Sequence, residues 1–151
     1  METKASQLVL EDFIITNSTC HLKEFQITDT NINKIRKKQA NHPVLMDYEI
    51  KKANDKPEFV IGIKVVINPD HLDGYAIEVG GVGLFTISKE MDEKEIANLI
   101  HFSAINICIA NIRSYIANMT SYFPLGRFNF HAIDMPSLIA AKQKEKVSAK
   151  I

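Results

Sequence analysis

The segment from about residue 92 to residue 119 restricts the fold more than any other part of the chain. Asp92 and Glu95 resemble a capping box and predict the start of a long helix. One side of that helix carries apolar residues at spacings of four and three, namely Ile105, Ile109, Ile112, Ile116 and Met119. The opposite side carries large apolar residues near the start of the helix and mostly small residues towards its end, namely Ile96, Ile100, Ser103, Ile107, Ala110, Ser114 and Ala117. A helix that is apolar on both sides has to be covered on both sides.

A sheet formed by the first half of the chain can cover one side of this helix, but little remains for the other. Only a short helix, predicted at about 134–144, follows. We therefore predict that a second copy of the chain packs there, because small residues let two helices approach closely. A membrane span is the alternative, but the uncharged stretch 96–112 contains polar residues and is shorter than the ~20 apolar residues that a span needs. We expect a buried helix and no membrane insertion.

The first half of the chain has the period of two that is typical of β-strands. This pattern predicts strands at 8–17, 20–27, 44–51, 58–67 and 75–87, with a turn at Asn17–Ser18. Their short connections favour antiparallel pairing, and the polar, basic segment 28–43 is predicted to be a loop. Strands followed by helices indicate an α+β fold. We expect one domain, 1–151, with flexible ends at 1–6 and about 142–151.

Glycines interrupt the last predicted strand at positions 80, 81 and 83. They predict a bulge or a close backbone approach. These glycines are weak evidence for a nucleotide-binding loop, because no Lys-Ser or Lys-Thr pair follows them.

Composition argues against several classes of function. With 46% hydrophobic residues, the chain can bury a core without disulfides or metals. Its 18 basic residues balance 18 acidic ones, so charge gives no indication of nucleic-acid binding. The start, METKASQLVL, has no basic region followed by a long apolar run, so we expect a cytoplasmic protein.

No set of residues has the spacing of a catalytic or metal site. The five histidines are scattered, and Cys20 and Cys108 lie far apart. Cys20 adjoins His21, but neighbours on a strand point to opposite faces and converge poorly. We therefore expect no enzymatic activity, no cofactor and no metal.

Residues 121–136, SYFPLGRFNFHAIDMP, combine loop-forming residues with four aromatic side chains. Phe128 and Phe130 alternate as in a strand or a core plug, whereas Tyr122 and Phe123 directly follow the long helix. Exposed aromatic residues beside a sheet would bind apolar segments of other proteins. We predict a client-binding apolar groove formed by Met46, Tyr48, Tyr75, Tyr122, Phe123, Leu125 and Phe128. The alternative, that these residues pack in the chain's own core, stays open for several of them.

The sequence resembles the SecB family of protein-export chaperones in three segments that occur in the family's order. IEVGGVGLFTI is similar to a family strand through Glu78, Val79, Gly83, Leu84, Phe85 and Ile87. INICIANIR resembles the family's Pro-Asn-Ile-Leu-Phe-Pro-Tyr-Ala-Arg through Asn106, Ile107 and Arg113. RFNFHAIDMPSL resembles the next family segment through Asn129 and Leu138. The resemblance covers roughly residues 7 to 140.

The resemblance implies a four-stranded antiparallel sheet followed by one long and one short helix. It also implies an ATP-independent holdase that keeps unfolded preproteins competent for export and passes them to the SecA motor. Family members are tetramers built as dimers of dimers, with the long helices between dimers. We place this oligomer interface at Ile77, Val79, Gly81, Ile100, Ser103, Ile107, Ala110 and Ser114.

The chain also departs from the family. Ile105 and Ala110 occupy the positions of two family prolines, and Leu125-Gly126 occupies that of a Phe-Pro pair. Family members are acidic and many end in a zinc-binding tail, whereas this chain has zero net charge and ends in KQKEKVSAKI. The motor interaction therefore stays open, as does a narrower client such as an antitoxin. Two further classes remain: a small-ligand-binding oligomeric module and a purely structural oligomer.

Overall fold

The computed structural model describes residues 1–23, 32–52, 57–88 and 91–149. In chain order its elements are β1 (Leu8–Leu22), α1 (Ile32–Ala40), β2 (Val44–Lys52), β3 (Glu58–Ile67), β4 (Tyr75–Ile87), α2 (Glu93–Leu99), a π-helical segment (Ile100–Ala104), α3 (Ile105–Thr120) and α4 (Met135–Ala149). From α2 to α3 the chain is one continuous helix, Glu93–Thr120, which we call the long helix. It begins where the sequence predicts, with the Asp92 carboxylate accepting a hydrogen bond from the Glu95 N–H at 2.8 Å.

The four strands form one antiparallel sheet in the order β1-β4-β3-β2. The period of two correctly predicts which side chains share a face, since Tyr48 lies opposite Ile63 and Met46 opposite Val65. This face is the one covered by the long helix, and its central residues are fully buried. The predicted α+β fold with a four-stranded antiparallel sheet is confirmed.

The long helix packs its predicted apolar side against β3 and β4. Ile105, Ile112 and Ile116 are completely buried there. The helix approaches the sheet so closely that a Cβ at Gly83 would lie 2.8 Å from the Cys108 Sγ. The glycines of β4 therefore allow a close approach, as the sequence predicts.

The first strand differs from the prediction, because no turn forms at Asn17–Ser18. Asn17 pairs with Gly80 and Ser18 with Val79 within the continuous edge strand β1. Two register shifts in β1 mark bulges, which insert an unpaired residue and let a long strand bend without ending. The two segments predicted at 8–17 and 20–27 are thus one strand as far as Leu22, and 24–27 lie outside the described residues.

The predicted loop at 28–43 is also wrong in part, because residues 32–40 form α1. Ile35 and Gln39, one turn apart, are the buried residues of this helix. Its remaining positions are mostly polar or basic, so the apolar stripe that identifies most surface helices is nearly absent. Residues 28–31 lie outside the described part of the chain.

The last helix, α4, is longer than the predicted segment 134–144, since it ends at Ala149. Lys142 Nζ contacts the Asp47 carboxylate and lies 5.6 Å from the centre of the Tyr48 ring. The chain is therefore held against β2 at Lys142, and the flexibility of the end from about residue 142 stays a prediction. Residues 150–151 lie outside the described ranges.

Among the described residues, the long helix is the one helix long and apolar enough to cross a membrane by length and composition alone. The core helix of a sheet-packed domain meets the same criterion, and one side of this helix is buried against the sheet. The absence of membrane insertion stays a prediction.

Candidate functional site

A groove of about 290 Å³ lies between α1 and the loop that follows the long helix. We call it the α1–loop groove, and its lining consists of Arg36, Gln39, Tyr75, Leu125, Gly126, Arg127 and Phe128. The residues come from α1, from the start of β4 and from the 121–130 loop. Two arginines and no carboxylate are among these lining residues.

Gln39 fixes α1 to the sheet at this groove. Its side-chain oxygen accepts a hydrogen bond from the Tyr75 N–H, and its side-chain nitrogen donates to the Tyr75 carbonyl at 3.4 Å. Gly74 has φ of 111°, and a Cβ at that position would overlap the Gln39 side-chain oxygen. A glycine at position 74 therefore allows the positive φ and also leaves room for the buried Gln39 side chain.

Two further hydrogen bonds hold the loop against this wall. Arg36 Nε donates to the Leu125 carbonyl at 2.9 Å, and the Tyr75 hydroxyl donates to the Gly126 carbonyl at 3.0 Å. Gly126 has φ of 76°, a conformation that favours glycine, and it turns the chain directly after the buried Leu125. The loop is therefore fixed to both α1 and β4.

Thr120, at the end of the long helix, closes the base of the loop. Its hydroxyl donates to the Ile116 carbonyl at 2.7 Å and accepts a hydrogen bond from the Phe128 N–H at 2.9 Å. Thr120 is completely buried, so both bonds are made away from water. Phe128 is thereby held next to the helix end, half-buried at the edge of the groove.

Two aromatic side chains of the loop are exposed, as the sequence predicts. Tyr122 is 90% exposed and Phe123 is 37% exposed. The Phe123 ring lies tilted against the Tyr75 ring, with centroids 6.2 Å apart. Phe123 thus extends the apolar lining of the groove from its buried floor to the surface.

Three of the predicted groove residues are more buried than the sequence predicts. Tyr48, Tyr75 and Leu125 are 4%, 1% and 5% exposed, so each packs mainly in the chain's own core. Tyr48 and Tyr75 lie on the face of the sheet that the long helix covers, and Leu125 belongs to the same buried core. Tyr75 and Leu125 still line the α1–loop groove, as its floor.

Met46 and Tyr48 are not part of this groove. Met46 is half-buried against the core at β2, and Tyr48 lines a different groove, of about 370 Å³, between β2 and α4. The seven residues predicted to form one groove therefore lie in two regions, one at the α1–loop groove and its loop and the other at β2. Tyr122, Phe123 and Phe128 are the predicted residues that offer accessible apolar surface at the loop.

The structure also corrects half of the predicted oligomer interface. Four of its residues are buried within the single chain, namely Ile77, Val79, Gly81 and Ile100. Ile77, Val79 and Gly81 point to the helix-covered face of β4, where a second copy has no access. The other four positions retain accessible surface along the long helix, namely Ser103, Ile107, Ala110 and Ser114.

Burial is the largest cause of the pKa shifts of Tyr75, Cys20 and Cys108. It raises the pKa of the Tyr75 phenol, which favours the neutral form that donates to Gly126. It also raises the pKa of the Cys20 thiol to about 11 and that of the Cys108 thiol to about 12. Neither thiol is activated as a nucleophile, because the thiolate is the reactive form.

Within the described ranges, no group of three or more His, Cys, Asp and Glu side chains is placed to hold a metal ion. His21 and His71 do lie close together, with ring centroids 6.1 Å apart. Two imidazoles alone do not complete the coordination that structural metal sites use. The expectation that the protein has no metal or cofactor stays a prediction.

Sequence reasoning missed Arg36, Gln39 and Arg127, because it predicted no helix beside the loop. The available signal was weak: Ile32, Ile35 and Gln39 recur at spacings of three and four, with mostly charged residues between them. A polar side chain at the third position hides this stripe from any count of apolar residues.

No protein-family model matches the chain, and no curated protein matches its sequence. Among solved structures, a SecB-like chaperone of Mycobacterium tuberculosis, in complex with a peptide from an antitoxin, is similar with a TM-score of 0.57. The two share 11% sequence identity over 84% of this chain and 88% of the other. A protein of unknown function from Streptococcus agalactiae is similar with a TM-score of 0.47 and 8% identity, over 86% of this chain and all of the other. The first similarity shows that this chain has a SecB-like fold.

Proposed function

We propose that this protein is an ATP-independent holdase chaperone, which binds unfolded segments of other polypeptides in the α1–loop groove. The observation that carries the proposal is the exposed Phe123, which continues a groove with an apolar floor to the surface. Support comes from the fold, since a SecB-like chaperone with this fold was solved with a bound peptide. The proposal includes no enzymatic activity and no cofactor, and it places the protein in the cytoplasm.

The groove suits an extended, apolar client segment. Phe123 and Phe128 can cover an apolar side chain of the client, and burying such a side chain stabilises a complex by about 1.5–3 kcal/mol. Sequence-tolerant binding follows, because apolar contacts are not directional. One such contact is weak, so a client spanning several copies of the groove in an oligomer would bind more tightly through effective concentration.

An aggregation assay tests the proposal. A chemically unfolded client is diluted into buffer with a several-fold molar excess of this protein, and light scattering is followed over time. We expect the scattering to be suppressed without ATP. Unchanged scattering at that excess would refute the holdase function.

Phe123→Ala locates the activity within the structure. Phe123 is about two-thirds covered, so its truncation costs roughly 1–2 kcal/mol of folding stability. We expect the variant to stay folded and to lose most of the suppression. Phe102→Ala is the matched control, because Phe102 is 54% exposed and lies 18 residues, or about 27 Å along the helix, from Thr120. Equal activity of the two variants would exclude the loop as the client site.

Assembly belongs to the same proposal. We propose that long helices pack against each other through the accessible strip formed by Ser103, Ile107, Ala110 and Ser114, and that this contact joins two dimers into a tetramer. Light scattering should give a mass about four times the 17.0 kDa of one chain, whereas Ala110→Glu should reduce it. A monomeric wild-type protein would contradict the proposed assembly.

A narrower client is the second candidate. The observation in its favour is that the similar mycobacterial chaperone was solved with a peptide from an antitoxin. Suppression of aggregation for several unrelated clients would favour the general holdase. Suppression for none, together with tight binding of one partner, would favour the dedicated chaperone.

A further inference from the structure

The α1–loop groove lies in a strongly basic part of the described surface. Arg36 and Arg127 line it directly, and α1 also carries the exposed Lys34, Lys37 and Lys38. No acidic residue occurs in α1. Because the whole chain has zero net charge, positive charge is concentrated here rather than spread evenly.

Little of this charge is neutralised by the rest of the described chain. Asp73 lies 3.7 Å from Lys38 Nζ and 3.6 Å from Lys23 Nζ, and all three side chains are well exposed. Within residues 1–23, 32–52, 57–88 and 91–149, no carboxylate lies within ion-pair distance of Arg36 or Arg127. As far as the described residues are concerned, the two arginines of the groove are thus available to an external anion.

Arg36 is already oriented towards the loop. Its Nε is fixed on the Leu125 carbonyl, and a Cβ at Gly126 would lie 3.6 Å from one terminal nitrogen of its guanidinium. An ordered arginine loses less conformational freedom when it binds a carboxylate, and its planar group can make two parallel hydrogen bonds. Arg127 follows directly in the loop and is exposed.

Cationic and apolar surfaces therefore meet within one groove. Tyr75 forms the floor, Phe123 packs on Tyr75, and the arginines lie at the α1 wall and in the loop. Taking the proposed chaperone function as its basis, we propose that the groove selects polypeptide segments in which an aromatic or aliphatic residue is flanked by Asp or Glu. The client's apolar side chain contacts Phe123 and Phe128, and its carboxylates pair with Arg36 and Arg127.

Three peptides test this selectivity. They share one aromatic core and differ in having aspartate, serine or lysine flanks, and fluorescence anisotropy measures their binding to the full-length protein. We expect the acidic peptide to bind roughly five- to tenfold more tightly than the neutral one at about 50 mM salt, and the lysine peptide to bind most weakly. The difference should shrink at about 300 mM salt, because salt screens exposed charges.

Arg127→Glu assigns the selectivity to the groove. Arg127 makes no hydrogen bond within the described residues that its replacement would break, unlike Arg36. We expect the variant to favour the lysine peptide over the acidic one. Lys94→Glu makes a similar change of charge at an exposed position of α2 and should keep the wild-type order.

The outcomes separate this inference from the function on which it rests. Equal binding of the three peptides, or a preference for lysine flanks, would overturn the acidic selectivity and leave the holdase function standing. Unchanged selectivity in Arg127→Glu would also overturn it. If no peptide binds and aggregation is not suppressed, both the holdase function and the selectivity are refuted.

Discussion

Replacing Gln39 with Leu tests whether one buried amide fixes the wall of the groove. Leucine keeps a side chain of comparable size but can neither accept the hydrogen bond from the Tyr75 N–H nor donate to the Tyr75 carbonyl. The carbonyl keeps a second partner, because Asn68 Nδ2 donates to it at 3.1 Å. The substitution therefore leaves one buried N–H group without a partner.

An unsatisfied buried donor costs about 1–3 kcal/mol of the free energy of unfolding. For a chain of 151 residues, each kcal/mol lowers the melting temperature by roughly 2–4 °C. Taking the middle of the range, we expect the melting temperature to fall by about 4–8 °C. Hydrogen exchange of the α1 amides and of the Tyr75 amide should become faster, because the helix loses its attachment to β4.

Asn41→Leu is the matched control for this experiment. Asn41 is exposed, and among the described residues its side chain donates to the Lys37 carbonyl alone, at 3.3 Å. We therefore expect a change within about 0.5 kcal/mol in the free energy of unfolding. Thermal unfolding followed by circular dichroism compares the two variants. If Gln39→Leu matches the control in both melting temperature and hydrogen exchange, the Gln39 amide does not fix α1.

Two further predictions concern titratable groups. Burial, followed by the charges of Lys146 and Lys52, lowers the pKa of His101 below 6.5, so the folded state favours the neutral imidazole. The free energy of unfolding should therefore fall as the pH drops below about 6.5. Urea unfolding at several pH values should show a smaller fall for His101→Gln than for the wild-type protein. The raised pKa values of about 11 for Cys20 and about 12 for Cys108 predict slow alkylation by iodoacetamide at neutral pH, followed by rapid labelling in urea. Fast labelling of Cys108 in the native protein would contradict its burial beneath the long helix.

The sheet and the long helix could be predicted because their residues repeat with one period over many positions. Tyr48 and Ile63 meet on the face that the period of two assigns to them. The same pattern could not identify what covers that face. The pattern therefore assigns Tyr48 to the client groove, although Tyr48 is buried in the core with Lys142 of α4 beside its ring. Burial on a sheet face depends on elements far away in sequence, which a local pattern does not contain.

The α1–loop groove could be predicted only in part, because the sequence indicates the loop side but not the α1 side. Tyr122 and Phe123 were correctly predicted to be exposed, because they follow the end of a helix in a segment rich in turn-forming residues. Leu125 lies in the same segment but is buried, and the local sequence does not show which residue of a turn faces the core. α1 was missed because its attachment relies on a buried amide rather than on a stripe of apolar residues.

The π-helical segment sets the rotation of α2 relative to α3 within the long helix. The Ile105 N–H donates to the Ile100 carbonyl, five residues back, so the segment contains one residue more than a regular α-helical turn would hold. Deleting one residue between 100 and 104 should restore regular α-helix and rotate α2 by about 100° relative to α3. Ile105, Ile109 and Ile112 would keep their places on the sheet, while Ile96 and Leu99 would turn away from the core. The extra residue thus determines which side of α2 faces the core, whereas the groove at the helix's other end depends on α3.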